Sequence, residues 1–236
     1  MEQRQHQRSL HFQIHSMKKP YFYGLVLLAA LSFSACRKED KIPPEITMNG
    51  SANIQLTLGD SFTDPGATAH DNKNGDLTHL INVSGGVNPD QTGNYYLTYK
   101  VSDFSGNEAE KTRFVNVKNT AAQFGGTYSV KDSVWAGSVI TYQEQVKVSS
   151  TVNDRLSVSF FGGNINGAVY FELLSNQTLI HVPSQTLICG NPPQQKTFQS
   201  INPGSILTNP LKFSIDYTVT TTSGTTTITS TYTKIN

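Results

Sequence analysis

The sequence predicts an all-β protein, with a β-sandwich over residues 42–118, a short linker over 119–123 and an antiparallel β-barrel over 124–236. Three observations carry this. Apolar and polar residues alternate at period two along most of the chain, as in half-buried strands. No amphipathic stretch of helical period and useful length interrupts them. Gly, Pro, Asn and Asp gather into turn signals at short intervals. A second sandwich is the alternative architecture for the C-terminal part.

Residues 1–35 read as an export signal. Tyr21 to Ala35 is apolar or small, broken mildly by Ser32 and Ser34, and Lys18 and Lys19 stand before it. A charged region, a short apolar region and small residues at a processing point make a signal peptide; crossing a bilayer takes about 20 apolar residues. Met17 is the better start of such a signal, so "MEQRQHQRSLHFQIHS" is expected to be an over-extended gene start. His6, His11 and His15 then leave with the leader and form no metal site.

The cysteine that follows, in "SFSAC", resembles the lipidated Cys of bacterial lipoproteins, with Phe33 where that family favours Leu. The resemblance implies that Cys36 is acylated, that the signal is cut before it, and that residues 36–41 are a tether from the outer membrane. Several acyl chains hold stably where one gives marginal binding, at about 0.8 kcal/mol per buried CH2. The charges "RKED", Arg37–Asp40, have two readings: a solvated tether, or a tag that resembles the lipoprotein export signal of Bacteroidetes and implies the outer face of that membrane.

Without the leader, 14 of the 18 basic residues remain (Arg4, Arg8, Lys18 and Lys19 go) and 16 of the 17 acidic ones (Glu2 goes), a net charge of −2. No phosphate-binding surface is indicated and nucleic acid is not an expected partner. With Cys36 lipidated, Cys189 has no disulfide partner, so packed cores must supply the stability.

In the first domain, Ile54, Leu56 and Leu58 share a face. Tyr95, Leu97, Tyr99 and Val101 share another, with Tyr96, Thr98 and Lys100 opposite. In "RFVNV", Arg113, Val115 and Val117 alternate with Phe114 and Asn116. The turn signals between them are "NGS", "LGD", "DPG", "KNGD" and "SGN". "DQTGNYYLTY" fits a tyrosine corner closed by Tyr95. The stretches "PPEITMNGSANIQLTLGDSFTDPGATAHDNKNGDLT" and "TGNYYLTYKVSDFSGNEAEKTRFVNV" together resemble the bacterial surface Ig-like family, whose modules also occur in insecticidal crystal toxins. The resemblance implies a spacer or recognition module without catalytic residues. Within it, Asp71, Asn72, Asn74 and Asp76 are closely spaced oxygen donors of the kind a calcium loop needs. Lys73 sits among them and no bidentate Glu follows, so a turn held by Asx side chains is the favoured reading and no metal is assigned.

In the second domain, strands are expected at Thr127–Lys131, Val139–Ser149, Arg155–Phe161, Ala168–Leu174, Thr178–Val182, Lys196–Ser200, Lys212–Thr221 and Thr225–Lys234. Eight antiparallel strands in this length suit a closed barrel. The run "FGGTY", "FFGG", "VPSQ" and the closing "YTK" resembles a lipocalin-like or calycin-like barrel of Bacteroidetes lipoproteins. Trp135 lies in an expected loop, where it either stacks on a sugar ring or plugs the barrel end. The loop Gly190–Gln194 follows Cys189, which is expected to be a small buried hydrophobe. "DSV" resembles the O-glycosylation acceptor of Bacteroidetes, which would place a glycan on Ser133.

Enzyme motifs are lacking: no Gly-x-Ser-x-Gly, His-Glu-x-x-His, Cys-x-x-Cys or phosphate loop occurs. Glu144, Glu172, His181 and Asp216 are polar residues in mid-strand, expected on an outward face. The expectation is therefore a lipid-anchored envelope protein with no cofactor and no catalysis. It would bind a glycan or other nutrient, or adhere, with the first domain as spacer. A structural or assembly subunit partnering an outer-membrane protein is the alternative.

Overall fold

The computed structural model describes residues 39–134, 137–161, 167–190 and 192–235. The expected signal peptide, Cys36 and Trp135 lie outside the described residues. From Ile42 on, the chain is one compact unit. No helix among the described residues is long and apolar enough to cross a membrane.

Seven strands among the described residues form the sandwich. β1 (Glu45–Met48), β3 (Ala67–Asp71) and β4 (Gly75–Asp76) make one antiparallel sheet. The second sheet runs β2 (Asn53–Thr57), β7 (Glu108–Lys118), β6 (Gly93–Ser102), β5 (Asn82–Gly86), with β2 parallel to β7. Ile46, Ala69, Leu77, Leu97, Tyr99 and Val101 pack between the sheets. Tyr95 closes its corner as expected, its hydroxyl donating to the Gln91 carbonyl at 2.9 Å. Gly85 must be glycine: φ is +91°, and a Cβ there would lie 2.1 Å from the Tyr96 carbonyl oxygen.

One core residue is charged. Arg113 has the same phase as Val115 and Val117 and is fully buried. Its guanidinium donates to the backbone carbonyls of Asn49, Ser51 and Gly66 at 2.8–3.0 Å, and Nε donates to the Tyr99 hydroxyl at 3.1 Å. Asp64 supplies the counter-charge, 3.3 Å from Nε, and accepts from the Tyr99 hydroxyl at 2.6 Å. One side chain thus fastens β7 to the turns that follow β1 and precede β3.

The second domain holds β8 (Gly126–Val134), β9 (Val139–Val148), β10 (Arg155–Val158), β11 (Val169–Leu174), β12 (Leu179–His181), β13 (Gln185–Cys189), β14 (Gln194–Ser200), β15 (Gly204–Thr208), β16 (Leu211–Thr221) and β17 (Gly224–Lys234). Eight of them close a barrel in the order β8–β9–β10–β11–β12–β15–β16–β17 and back to β8. The expected count of eight holds, but one member differs. Lys196–Ser200 falls in β14, which with β13 forms a hairpin outside the ring, and Gly204–Thr208 closes it instead. The two share β16: β14 pairs with its Tyr217–Thr220 half and β15 with its Leu211–Ser214 half. Rings fill the barrel. Phe213 stacks on Tyr232 at 4.5 Å between centroids, and Phe161, Phe171, Phe198 and Tyr217 complete an aromatic cluster. The Tyr128 hydroxyl donates to the carbonyl of Phe124, four residues back, as Tyr95 does in the sandwich.

Residues 119–123, expected to be a polar linker, are built into the junction. Asn119 is 4% exposed and caps the 3-10 turn Thr120–Phe124. Its Oδ1 accepts from Ala121 and Asp154 backbone N–H, and its Nδ2 donates to the Ser149 and Val152 carbonyls, all at 2.8–3.0 Å. Ala121 and Phe124 belong to the barrel core. The Thr92 N–H donates across to the Ser150 carbonyl at 2.8 Å.

Candidate functional site

Strand phase creates the site. If Arg113 points inward, Phe114 must point outward, and so must its cross-strand partner Tyr96. Phe114 is 47% and Tyr96 51% exposed, and their rings meet edge to face at 5.4 Å. Asn53 of β2 stands opposite Phe114 on the other side. One row across the sheet therefore reads Asn53, Phe114, Tyr96. The next row on the same face reads Gln55, Asn116, Asn94, in which the Asn116 amide donates to the Asn94 carbonyl oxygen. The two rows border a depression of about 320 Å³. Gly86 lies opposite Tyr96 on β5, and nothing lies within 4 Å of where its Cβ would be, so the outer flank of the tyrosine is open.

None of these six side chains is charged. Two rings offer apolar surface, and four amides offer paired donors and acceptors. That set suits a neutral, hydroxyl-rich ligand with apolar C–H faces, and it holds no cation to pair with an anion. The signal was present in the sequence as an inversion: "RF" at 113–114 puts a charged residue in the apolar phase and an aromatic in the polar phase.

The barrel interior holds a second polar group, and it corrects one expectation. Glu144 does not face outward. It is 6% exposed, in phase with Tyr142 and Val146, and accepts from the backbone N–H of Ser159 and Phe160 at 3.1 and 2.9 Å. Asp132, 3% exposed, accepts from the Tyr142 hydroxyl at 2.9 Å and from Ser230, whose hydroxyl also meets that of Tyr217 at 3.3 Å. Burial pushes both carboxyls above their usual range. Hydrogen bonds from Ser230 and Tyr142 to Asp132, and from Ser159, Phe160 and Gln145 to Glu144, offset this only in part. Burial likewise raises Tyr142 and Tyr217.

The other three mid-strand polar residues do not converge with it. Glu172 pairs with Arg155 at 2.7 Å, the His181 Nδ1 meets the Ser200 hydroxyl at 2.7 Å, and exposed Asp216 accepts from Thr229 at 2.6 Å. Cys189 is buried and unpaired by any disulfide, and burial raises its thiol. Ser133 is half-buried on the outer face of β8, between Val139 and Thr229.

The Asp71–Asp76 donors separate. Asp71 is buried, and its Oδ2 accepts from Lys73 and Asn74 N–H at 2.8 and 2.7 Å, an Asx-type turn. Asn72 is exposed. Asp76 is exposed too and accepts from the Thr78 N–H at 2.9 Å. Asn74 reaches instead to the β6–β7 turn, accepting from the Phe104 N–H at 3.2 Å.

No curated protein matches the chain. Among solved structures it is similar to a lipoprotein of Bacteroides thetaiotaomicron, at 19% identity and a TM-score of 0.33, over 80% of this chain and 98% of that one. It is also similar to the CBM51-2, in complex with GlcNAc, and INT domains of Clostridium perfringens ZmpB, at 12% identity and a TM-score of 0.27. That match spans 82% of this chain and 44% of that one. Residues 46–117 match the family model described as bacterial surface protein, Ig-like domain, and the segment that carries the Tyr96–Phe114 face is therefore an Ig-like domain of that family.

Proposed function

We propose that the protein is a lipid-anchored binding module of the bacterial outer membrane that captures a neutral glycan on the open sheet of its Ig-like domain. The observation that carries this reading is the exposed Tyr96–Phe114 pair beside the Gln55–Asn116–Asn94 amide row. Large side chains that are rigid, half apolar and half polar dominate binding surfaces because they lose little entropy on contact. The Ig-like domain is then more than a spacer. The family match to bacterial surface proteins and the leader ending at Cys36 support an envelope address with the face turned to the exterior. The reading is non-catalytic: Asp132 and Glu144 are engaged by the barrel's own hydroxyls and amides.

A glycan array probed with the purified protein tests it. Binding to neutral oligosaccharides is expected, with Tyr96→Ala and Phe114→Ala each weakening it at least about tenfold, the 1.4 kcal/mol scale of one well-packed ring. A blank array, or binding that both variants keep in full, refutes it.

A second reading, a subunit that docks on an outer-membrane protein, is favoured by the β13 edge. Among the described residues β13 pairs only with β14, and its Ile188 is 68% exposed. An open strand with an apolar side chain is a template for strand addition. Co-purification of a membrane protein that is lost on Ile188→Lys would support it over glycan capture.

A further inference from the structure

We propose that the turns β3–β4 and β6–β7 of the Ig-like domain form a calcium site, with the carboxylates of Asp71 and Asp103 as its protein core. Asp71 is 2% exposed and Asp103 5% exposed, and an oxygen of each lies within 4.8 Å of the other. Two oxygens bound to one Ca2+ at about 2.3–2.6 Å lie at most about 5 Å apart, so one ion reaches both without rearrangement; Mg2+ demands near-ideal octahedral geometry and gives up its waters reluctantly, so two fixed carboxylates suit it less.

The independent sign is Asp71 Oδ1. It is enclosed and has no hydrogen-bond partner among the described residues, while Oδ2 of the same group has two. A buried carboxylate oxygen left without a partner is costly, and proteins satisfy nearly all such atoms. Bound Ca2+ satisfies it and also offsets the repulsion between two enclosed carboxylates.

The site is rigid before any ion arrives. Asp103 Oδ1 accepts from Ser105 and Asn107 N–H, each at 2.8 Å, and Oδ2 accepts from the Asn107 side chain at 2.7 Å. These bonds fix the carboxylate and leave lone pairs on both oxygens. The Asn74–Phe104 hydrogen bond holds the two turns at one spacing. The ligand set differs from the one the sequence suggests: Asp103, 32 positions along the chain from Asp71, takes the place of Asn72 and Asp76. The site lies at the end of the sandwich where β1 begins, since Glu45 pairs with His70.

Calorimetric titration of the EDTA-treated full chain with CaCl2, up to about 10 mM, tests this, with thermal unfolding followed in parallel. One Ca2+ per chain is expected, at a Kd of about 10⁻⁵–10⁻³ M, the range from sensors to extracellular modules. The melting temperature should rise with Ca2+ and move far less with MgCl2 at matched ionic strength. Asp103→Asn keeps an acceptor for the turn amides and loses the charge, so it should fold and bind Ca2+ at least about tenfold more weakly. Asp71→Asn should do the same, and if it fails to fold the Asp103 variant decides alone. Absence of binding heat and of a thermal shift overturns the proposal. So does an equal response to Mg2+, or an Asp103→Asn protein that titrates like the wild type.

Discussion

Arg113 donates through Nε to the hydroxyl of Tyr99 at 3.1 Å, and both meet Oδ1 of the Asp64 carboxylate. Two turns of the chain are tied, through three carbonyls, to this one guanidinium. Arg113→Ala removes the cation, leaving Asp64 without its counter-charge and the Tyr99 hydroxyl and the Asn49, Ser51 and Gly66 carbonyls without the guanidinium donor. Breaking a buried pair in this way costs about 3–5 kcal/mol. Tyr99→Phe leaves the ion pair standing and should cost about 1–2 kcal/mol. Calorimetric unfolding of the two variants checks the order; an Arg113→Ala protein as stable as wild type would show that the network contributes nothing.

Asp132 makes stability depend on pH. Burial raises its folded pKa above the unfolded value, so the folded state holds the proton more tightly. The resulting stabilisation is fully present below the unfolded value of about 4 and is lost as pH rises through the raised folded one. Asp132→Asn removes this dependence. The variant should therefore gain on the wild type as pH climbs from about 3 to about 8. Asp76, Asp103 and Glu108, whose carboxyls are held low by hydrogen bonds and by Lys100, act in the opposite sense but equally in both proteins. Melting temperatures of the pair across this range supply the comparison, and a gap that stays constant with pH contradicts the assignment.

Gly204 is where β12, β15 and β16 meet. A Cβ there would fall 2.0 Å from the Ser214 carbonyl oxygen and 3.0 Å from the Ile215 Cα, both backbone atoms with little freedom to retreat. Gly204→Ala should cost about 1–3 kcal/mol, the range of core overpacking. Gly86→Ala, with nothing within 4 Å, serves as the control. Equal melting temperatures for the two variants would mean that the ring closes without this contact.

Cys36 sets the address in the proposed reading. Cys36→Ser should move the protein from the membrane to the soluble fraction. On intact cells, added protease should cut the wild-type chain. Protection until the outer membrane is opened would place the glycan face in the periplasm and remove surface capture as its role.

The sandwich was legible because its turns are spelled in residues whose backbone needs are specific, such as Gly93 before Tyr95 and Asn74-Gly75 between β3 and β4. Seven of the eight ring strands of the barrel were legible, and β15 was not. In β15, Gly204–Thr208, Ile206 is half-buried but Ser205, Leu207 and Thr208 are exposed, so period two gives no strong signal. β13 has the same weakness. Glu144 was misjudged because polarity was weighed above phase: Tyr142 and Val146 on either side already assign it inward. The aromatic face was readable from the 113–114 inversion, but its value depends on Asn53 and Gln55, which a parallel pairing brings from 61 residues away. Asp71 and Asp103 meet by the same kind of long-range contact.

The ring of the barrel also sets a timetable. β8, the first of its strands, pairs with β17, the last, from Tyr128↔Lys234 to Val134↔Ile228. The sandwich has all its strands once Lys118 has emerged, whereas the barrel must wait for the final dozen residues before its first strand finds a neighbour on that side. Pairings between such distant segments form slowly, because a long loop must close before any contact rewards it. A chain that is threaded out of the cell from its N-terminus can therefore finish one domain in transit and must hold the other open to the end. Under the proposed export, the barrel is therefore the domain still unclosed when the last strand leaves.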